Sequence, residues 1–202
     1  MEKQIKDHFA RVDPVLFGVL AKLDGDTDKL TPTKTDDYFS DLVEAIVCQQ
    51  LSDKAGATIF GRVKGLFPKK RITATYLLKI ADETLRNVGP SRSKILYMKE
   101  LAKAVSNKTI DLARLSMMAD EEVITNLTKL KGIGRWTAEM FLMFTLGRED
   151  IFSYGDLGLR KAIMKLYGYK KEPTEPQMEK LATRWRPYRT YAARILWKSL
   201  EL

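Results

Sequence analysis

The sequence is poor in the residues that build redox and metal sites. Cys48 is the one cysteine in 202 residues, which excludes an internal disulfide and a four-cysteine zinc or iron–sulfur site. The single histidine, His8, lies in a charged leading segment without ligand partners near it in sequence, so a cytosolic-type, metal-poor chemistry is expected. Long apolar runs are missing too. None approaches the ~20 residues of a membrane span, and the polar start Met1-Glu2-Lys3-Gln4 opens no signal peptide. No stretch of any length alternates with the period of two that a half-buried strand needs. Tandem repeats and low-complexity segments are absent as well.

What is present is apolar residue at helical spacing and an excess of positive charge. The hydrophobic share of 45% suffices for a real core. The net charge of +9 points to a polyanionic partner, most often nucleic acid. Helices are expected at 2–12, from Asp13-Pro14 to about Leu23, from Asp36 or Asp37 to Cys48, and at 53–66, 73–80, 82–87, 91–106 and 120–129. Others follow at 135–146 and 156–167, then one from Pro173-Thr174 broken by Pro187, and one at 188–200. The polar stretch from Asp24 to Thr35, with Gly25 and Pro32, reads as a loop or lobe boundary. The fold class is therefore all-α, of roughly ten short helices.

Two places stand out. In Leu130-Lys131-Gly132-Ile133-Gly134-Arg135-Trp136-Thr137-Ala138 a Gly-Ile-Gly turn separates a polar helix from an apolar one. The glycines let the chain turn sharply, and the amides at the start of the next helix make a seat for phosphate. Ile133 plugs the space between the helices. The second place is Cys48-Gln49-Gln50-Leu51-Ser52, a corner where one helix ends and Ser52 caps the next. The local pattern leaves two readings of it. Either Leu51 is core with surface glutamines, or Leu51 and the glutamines fill the gap left by a displaced nucleotide. Asp156 likewise reads locally as an N-cap, and Trp197 as a core residue of the last helix. Val88-Gly89-Pro90-Ser91-Arg92-Ser93-Lys94 repeats the glycine turn before a basic helix start.

Gln50-Leu51, the segment Leu130 to Ala138, and Asp156 twenty residues past Trp136 together resemble the helix-hairpin-helix/Gly-Pro-Asp superfamily of DNA glycosylases. Within it the chain is similar to the 3-methyladenine (AlkA-type) branch from about Asp13 to Trp197. There are three departures. The Gly-Pro-Asp element reads Tyr154-Gly155-Asp156, the chain has no room for an N-terminal β-rich domain, and two aromatic pocket positions are Met140 and Leu157. The resemblance implies two helical lobes with an active-site cleft between them. One would be 36–148, with the hairpin; the other would combine 1–35 and 149–202, with Asp156 at the interface.

It also implies the chemistry. Breaking an N-glycosidic bond builds positive charge on the sugar, and Asp156, at a helix N-terminus that favours a negative group, would stabilise it. Members that also cut the strand carry a Schiff-base lysine where this chain has Trp136, so hydrolysis without lyase activity follows. Trp136 and Trp197, with Tyr154, Met140 and Tyr188, would line a pocket for cationic alkylated purines of the 3-methyladenine and 7-methylguanine type. Leu51 with Gln50 would be the wedge in double-stranded DNA. Gly132, Gly134, Arg135 and Thr137 would hold phosphate. Carbonyls of Thr128, Leu130 and Ile133 would hold a structural Na+ or K+, with no catalytic cofactor and no iron–sulfur cluster. A monomer is expected, cytoplasmic or, in a eukaryote, nuclear, and not membrane-bound.

The alternatives are a glycosylase for other damaged or mismatched bases, and a non-catalytic helix-hairpin-helix module that only binds DNA. Asp156 separates these classes, since a binding module has no use for a carboxylate facing an anionic backbone. A zinc deaminase is excluded by the missing His–Glu and Cys-x-x-Cys set.

Overall fold

The computed structural model describes residues 2–23, 30–32 and 34–202. Most of the expected loop from Asp24 to Thr35 lies outside the described residues. The described residues form thirteen α-helices and no strand. None of these helices is long and apolar enough to cross a membrane. The chain divides into two compact units, one of Met1–Lys34 with Leu142–Leu202 and one of Thr35–Phe141.

In the first unit, α1 (Glu2–Val12) packs on α2 (Pro14–Lys22). Asp13 caps α2, its Oδ1 accepting from the amides of Val15 and Leu16 at 3.1 Å, and Pro14 takes the first turn, where its missing N–H costs nothing. The same carboxylate is the unit's hub. Its Oδ2 accepts from the Tyr167 hydroxyl at 2.7 Å, the Trp185 indole N–H at 2.8 Å and Arg184 Nη2 at 2.9 Å. Burial first, and then the bond to Asp13, push the Tyr167 hydroxyl far above its usual range.

In the second unit, α3 (Tyr38–Cys48) is capped by Asp37 and buries Phe39, Leu42, Val43, Ile46 and Val47, one face at helical spacing. It packs on α4 (Asp53–Gly65). After α4 come a 3-10 turn at Pro68–Lys70, α5 (Ala74–Lys79) and α6 (Asp82–Asn87). The longest helix, α7 (Arg92–Ser106), packs against α3, α5 and α6 and buries Ile95, Met98, Leu101 and Ala102. Then follow α8 (Leu112–Leu115), α9 (Asp120–Thr128) and α10 (Arg135–Phe144).

The second boundary between units differs from the expected 148. It falls at 141/142, inside α10, because the last turn of α10 joins the first unit. There Phe144 stacks on Trp197 with ring centroids 5.9 Å apart, and the Arg194 guanidinium lies 5.0 Å over the Phe144 ring. Gly147 and Arg148 close the helix, the Arg148 amide donating to the Leu142 carbonyl at 2.9 Å. The chain completes the first unit with α11 (Leu157–Tyr167), α12 (Glu175–Ala182), a 3-10 turn at Thr183–Trp185 and α13 (Arg189–Lys198), which packs on α2 and α11. The expected helices therefore form with ends shifted by a few residues. The short α8 and the 3-10 turns have no counterpart in the sequence reading.

Asp13→Asn keeps one capping oxygen but turns an NH2 toward three donors. We expect it to lower the unfolding free energy by about 3 kcal/mol or more, measured by urea titration. A loss under about 1 kcal/mol would remove Asp13 as the hub.

Candidate active site

Asp156 is buried, 8% exposed, and caps α11. Its Oδ1 accepts from the Leu159 amide at 2.7 Å and from the Trp197 indole N–H at 3.0 Å. A carboxylate with an amide and an indole aimed at one oxygen is fixed in direction. Gly158 packs closely against the second bond. A Cβ there would lie 3.1 Å from Trp197 Nε1 and Cδ1 and equally close to Asp156 Oδ1, so a side chain would require the indole or the carboxylate to give by a few tenths of an ångström.

The loop leading into Asp156 is pinned by the opposite end of α13. Arg189 donates Nε to Asp150 Oδ1 at 2.6 Å and Nη2 to Oδ2 at 3.1 Å. The Thr190 hydroxyl donates to the Arg148 carbonyl at 2.6 Å and accepts from the Ile151 amide at 3.0 Å. One helix thus fixes both the approach to Asp156 and the carboxylate itself. Sequence reasoning misses Gly158, Arg189 and Thr190. Only a glycine two residues after a capping aspartate hints at the first.

The other expected pocket residues of this unit separate. The Tyr154 ring lies on Phe152, centroids 5.3 Å apart, two residues from Asp156 in sequence. Tyr188 does not join Trp197. It precedes α13 while Trp197 is near its end, about 13 Å along the axis, and its ring packs edge-on against His8 at 5.1 Å and Tyr191 at 5.8 Å. Leu157, next to the carboxylate, is 65% exposed.

In the second unit the hairpin forms between α9 and α10. The Ile133 amide donates to the Leu130 carbonyl at 3.1 Å, and Ile133 is buried. Gly132 has φ +91, and a Cβ there would meet the Tyr97 ring at 2.2 Å. Only glycine satisfies both demands. Gly134 faces open space. Of the other two expected phosphate ligands, Arg135 is exposed with its guanidinium paired to carboxylates, and Thr137 is buried. The Arg135 guanidinium pairs with Glu121 (Nη2 to Oε1 2.6 Å, Nη1 to Oε2 3.1 Å) and donates Nε to Glu139 Oε1 at 2.9 Å. The bonds from Arg135 hold the Glu121 carboxyl below its usual range. Thr137 is 4% exposed and its hydroxyl lies 3.4 Å from Gln49 Nε2 as an acceptor. On the same helix Trp136 is 45% exposed and Met140 half-buried.

The corner ahead of α4 is strained and outward-facing. Gln50 has φ +57, unusual for a residue with a side chain. Leu51 is 37% exposed, which overturns its core reading. Among the described residues, no group of three His, Cys, Asp or Glu side chains is placed to hold a metal ion.

This combination of hairpin and capping aspartate has a family. Residues 43–187 match the model of the HhH-GPD superfamily base excision DNA repair proteins, and the chain belongs to that superfamily. It is 34% identical over 185 residues, 91% of this chain and 81% of the relative, to DNA-3-methyladenine glycosylase 1 of Schizosaccharomyces pombe. A solved S. pombe 3-methyladenine DNA glycosylase in complex with abasic DNA is 32% identical. It superimposes with a TM-score of 0.88 over 98% of this chain and 97% of that one. A DNA-3-methyladenine glycosidase structure from Bacillus halodurans is 36% identical, with a TM-score of 0.74 over 92% and 88%.

Trp197→Phe removes the indole donor and keeps most of the ring. The expected result is a loss of about 1.5–3 kcal/mol in urea unfolding, the range for a hydrogen bond to a charged group. An unchanged midpoint would show that the indole does not hold Asp156.

Proposed function

We propose that the protein flips alkylated purines of the 3-methyladenine and 7-methylguanine type out of double-stranded DNA and removes them by hydrolysis, starting base excision repair. The observation that carries this reading is the buried Asp156 carboxylate, held by the Leu159 amide and the Trp197 indole, in a chain with tryptophan at 136. As the glycosidic bond breaks, its electron pair leaves with the base and the sugar carbon becomes cationic. A preorganised carboxylate stabilises that charge until water adds to the same carbon. A purine methylated at a ring nitrogen is already cationic, so it departs without a strong general acid. His8, packed on Phe9 and Tyr188, is not needed for this step.

Trp136 supplies an indole face to a cationic base and, having no amine, forms no Schiff base with the sugar. Leu51 and Gln50 occupy the vacated position in the duplex. Backbone amides around Gly132 and Gly134 meet phosphate at the start of α10. Supporting a structural Na+ or K+ at Thr128, Leu130 and Ile133, Thr128 ends α9, where carbonyls lack intrahelical partners. Such an ion would supply positive charge toward a phosphate. No catalytic cofactor enters this scheme, and the protein acts as a monomer.

The test is a panel of duplexes carrying 3-methyladenine, 7-methylguanine, hypoxanthine or etheno-adenine, scored for abasic sites. Release of at least one methylated purine is expected, with strand breaks only after alkali and no protein–DNA adduct trapped by borohydride. A trapped adduct would overturn the hydrolytic reading. Binding without any base release would favour the DNA-binding module.

A further inference from the structure

Gln49 has the sequence of a surface residue and the placement of a linchpin. It follows the last residue of α3, ahead of Gln50 in its left-handed conformation and the exposed Leu51. Its side chain turns inward. Nε2 donates to the Gly132 carbonyl at 2.8 Å and lies 3.4 Å from the Thr137 hydroxyl. One amide group therefore bridges the corner at 49–52 to the hairpin turn, 83 residues further along the chain.

Both ends of this bridge are otherwise fixed. At the corner, Lys94 in the first turn of α7 donates Nζ to the carbonyls of Val47 at 2.8 Å and Gln49 at 2.7 Å. The ammonium satisfies the end of α3, where free carbonyls favour a cation. At the hairpin, the peptide between Gly132 and Ile133 is a rigid plane. Its carbonyl is held by Gln49, and its N–H donates to Leu130. Gly132 rests on Tyr97, which also belongs to α7. The hairpin peptide and the 49–52 corner are thereby joined by the Gln49 side chain, and each is braced by a residue of the same supporting helix, Tyr97 and Lys94 of α7.

We propose that Gln49 is a positioning residue that couples Leu51 to the hairpin, so that seating phosphate on the turn and inserting the wedge are one event. This rests on the reading of Leu51 as wedge and of the hairpin as phosphate grip. Gln49 touches neither base nor sugar in this scheme. Its contribution is confined to duplex DNA, where a base must be driven out of the stack.

The test is a double-mutant cycle of Gln49→Met and Leu51→Ala, read as release of methylated bases from methylated duplex DNA and from the same DNA heat-denatured. Gln49→Met keeps the length and removes the donor. Thermal unfolding checks that it folds; should it not, Gln49→Asn, which keeps the amide but falls short of Gly132, replaces it. Each single variant is expected to lose roughly tenfold on duplex and much less on denatured DNA. The double variant should lose no more than about twofold beyond the worse single, as for residues acting through one element. Multiplying losses, with Leu51→Ala still selective for duplex, would overturn the coupling and leave the wedge standing. Equal losses for Gln49→Met on both DNAs would reduce Gln49 to a structural residue. An unaffected Leu51→Ala would remove the wedge and the coupling together.

Discussion

A carboxylate inside a protein must be surrounded by donors, or its burial costs more than a helix cap returns. The first unit meets this constraint twice. Asp13 and Asp156 both cap helices, and both accept an indole N–H besides backbone amides. Their settings differ. Asp13 is 1% exposed and gathers a tyrosine hydroxyl and a guanidinium as well, so it ties α2 to the C-terminal helices. Asp156 is 8% exposed and sits beside Gly158, with Trp197 laid against the glycine. The first is an anchor. The second is a charge held in a fixed direction, as stabilisation of a developing cation requires.

The second unit relies on carbonyls rather than carboxylates. Helix ends leave carbonyls unpaired, and here side chains from distant positions claim them. Lys94 takes Val47 and Gln49, Lys99 takes Leu78 and Ile80, and Gln49 takes Gly132. Burial draws the Lys94 ammonium below its usual pKa, the expected sign for a cation removed from water. Helices this short have little stability of their own. Their ends are where the unit is locked, and the two surfaces proposed to meet DNA are both helix ends.

Much of this was legible in the sequence because helix caps and apolar spacing are local signals. Asp13-Pro14, Ser52, Ser91, Thr174 and Asp156 each start the helix they announce, and the Gly-Ile-Gly turn forms between α9 and α10. What escaped depends on contacts between residues far apart in the chain. Nothing around Gln49 says that its amide faces Gly132, and nothing around Arg135 says that Glu121 waits fourteen residues upstream. Nothing around Tyr188 says that its ring packs against His8, 180 residues upstream. The four-residue α8 is too short for a periodic pattern, and only its Asp111 cap marks it. Likewise, the boundary inside α10 follows from Phe144 meeting Trp197, which no composition shift foretells.

The central claim is that the negative charge of Asp156 performs chemistry beyond capping α11. Asp156→Asn isolates that charge, since asparagine is about as good an N-cap and keeps the shape. The measurement is the single-turnover rate of base release from methylated duplex DNA, alongside thermal unfolding and affinity for the same duplex. The account predicts unchanged folding, affinity equal or slightly higher, and a rate lower by at least ~10²-fold, the scale of removing one preorganised stabiliser. Release at the wild-type rate would contradict it and leave Asp156 a cap.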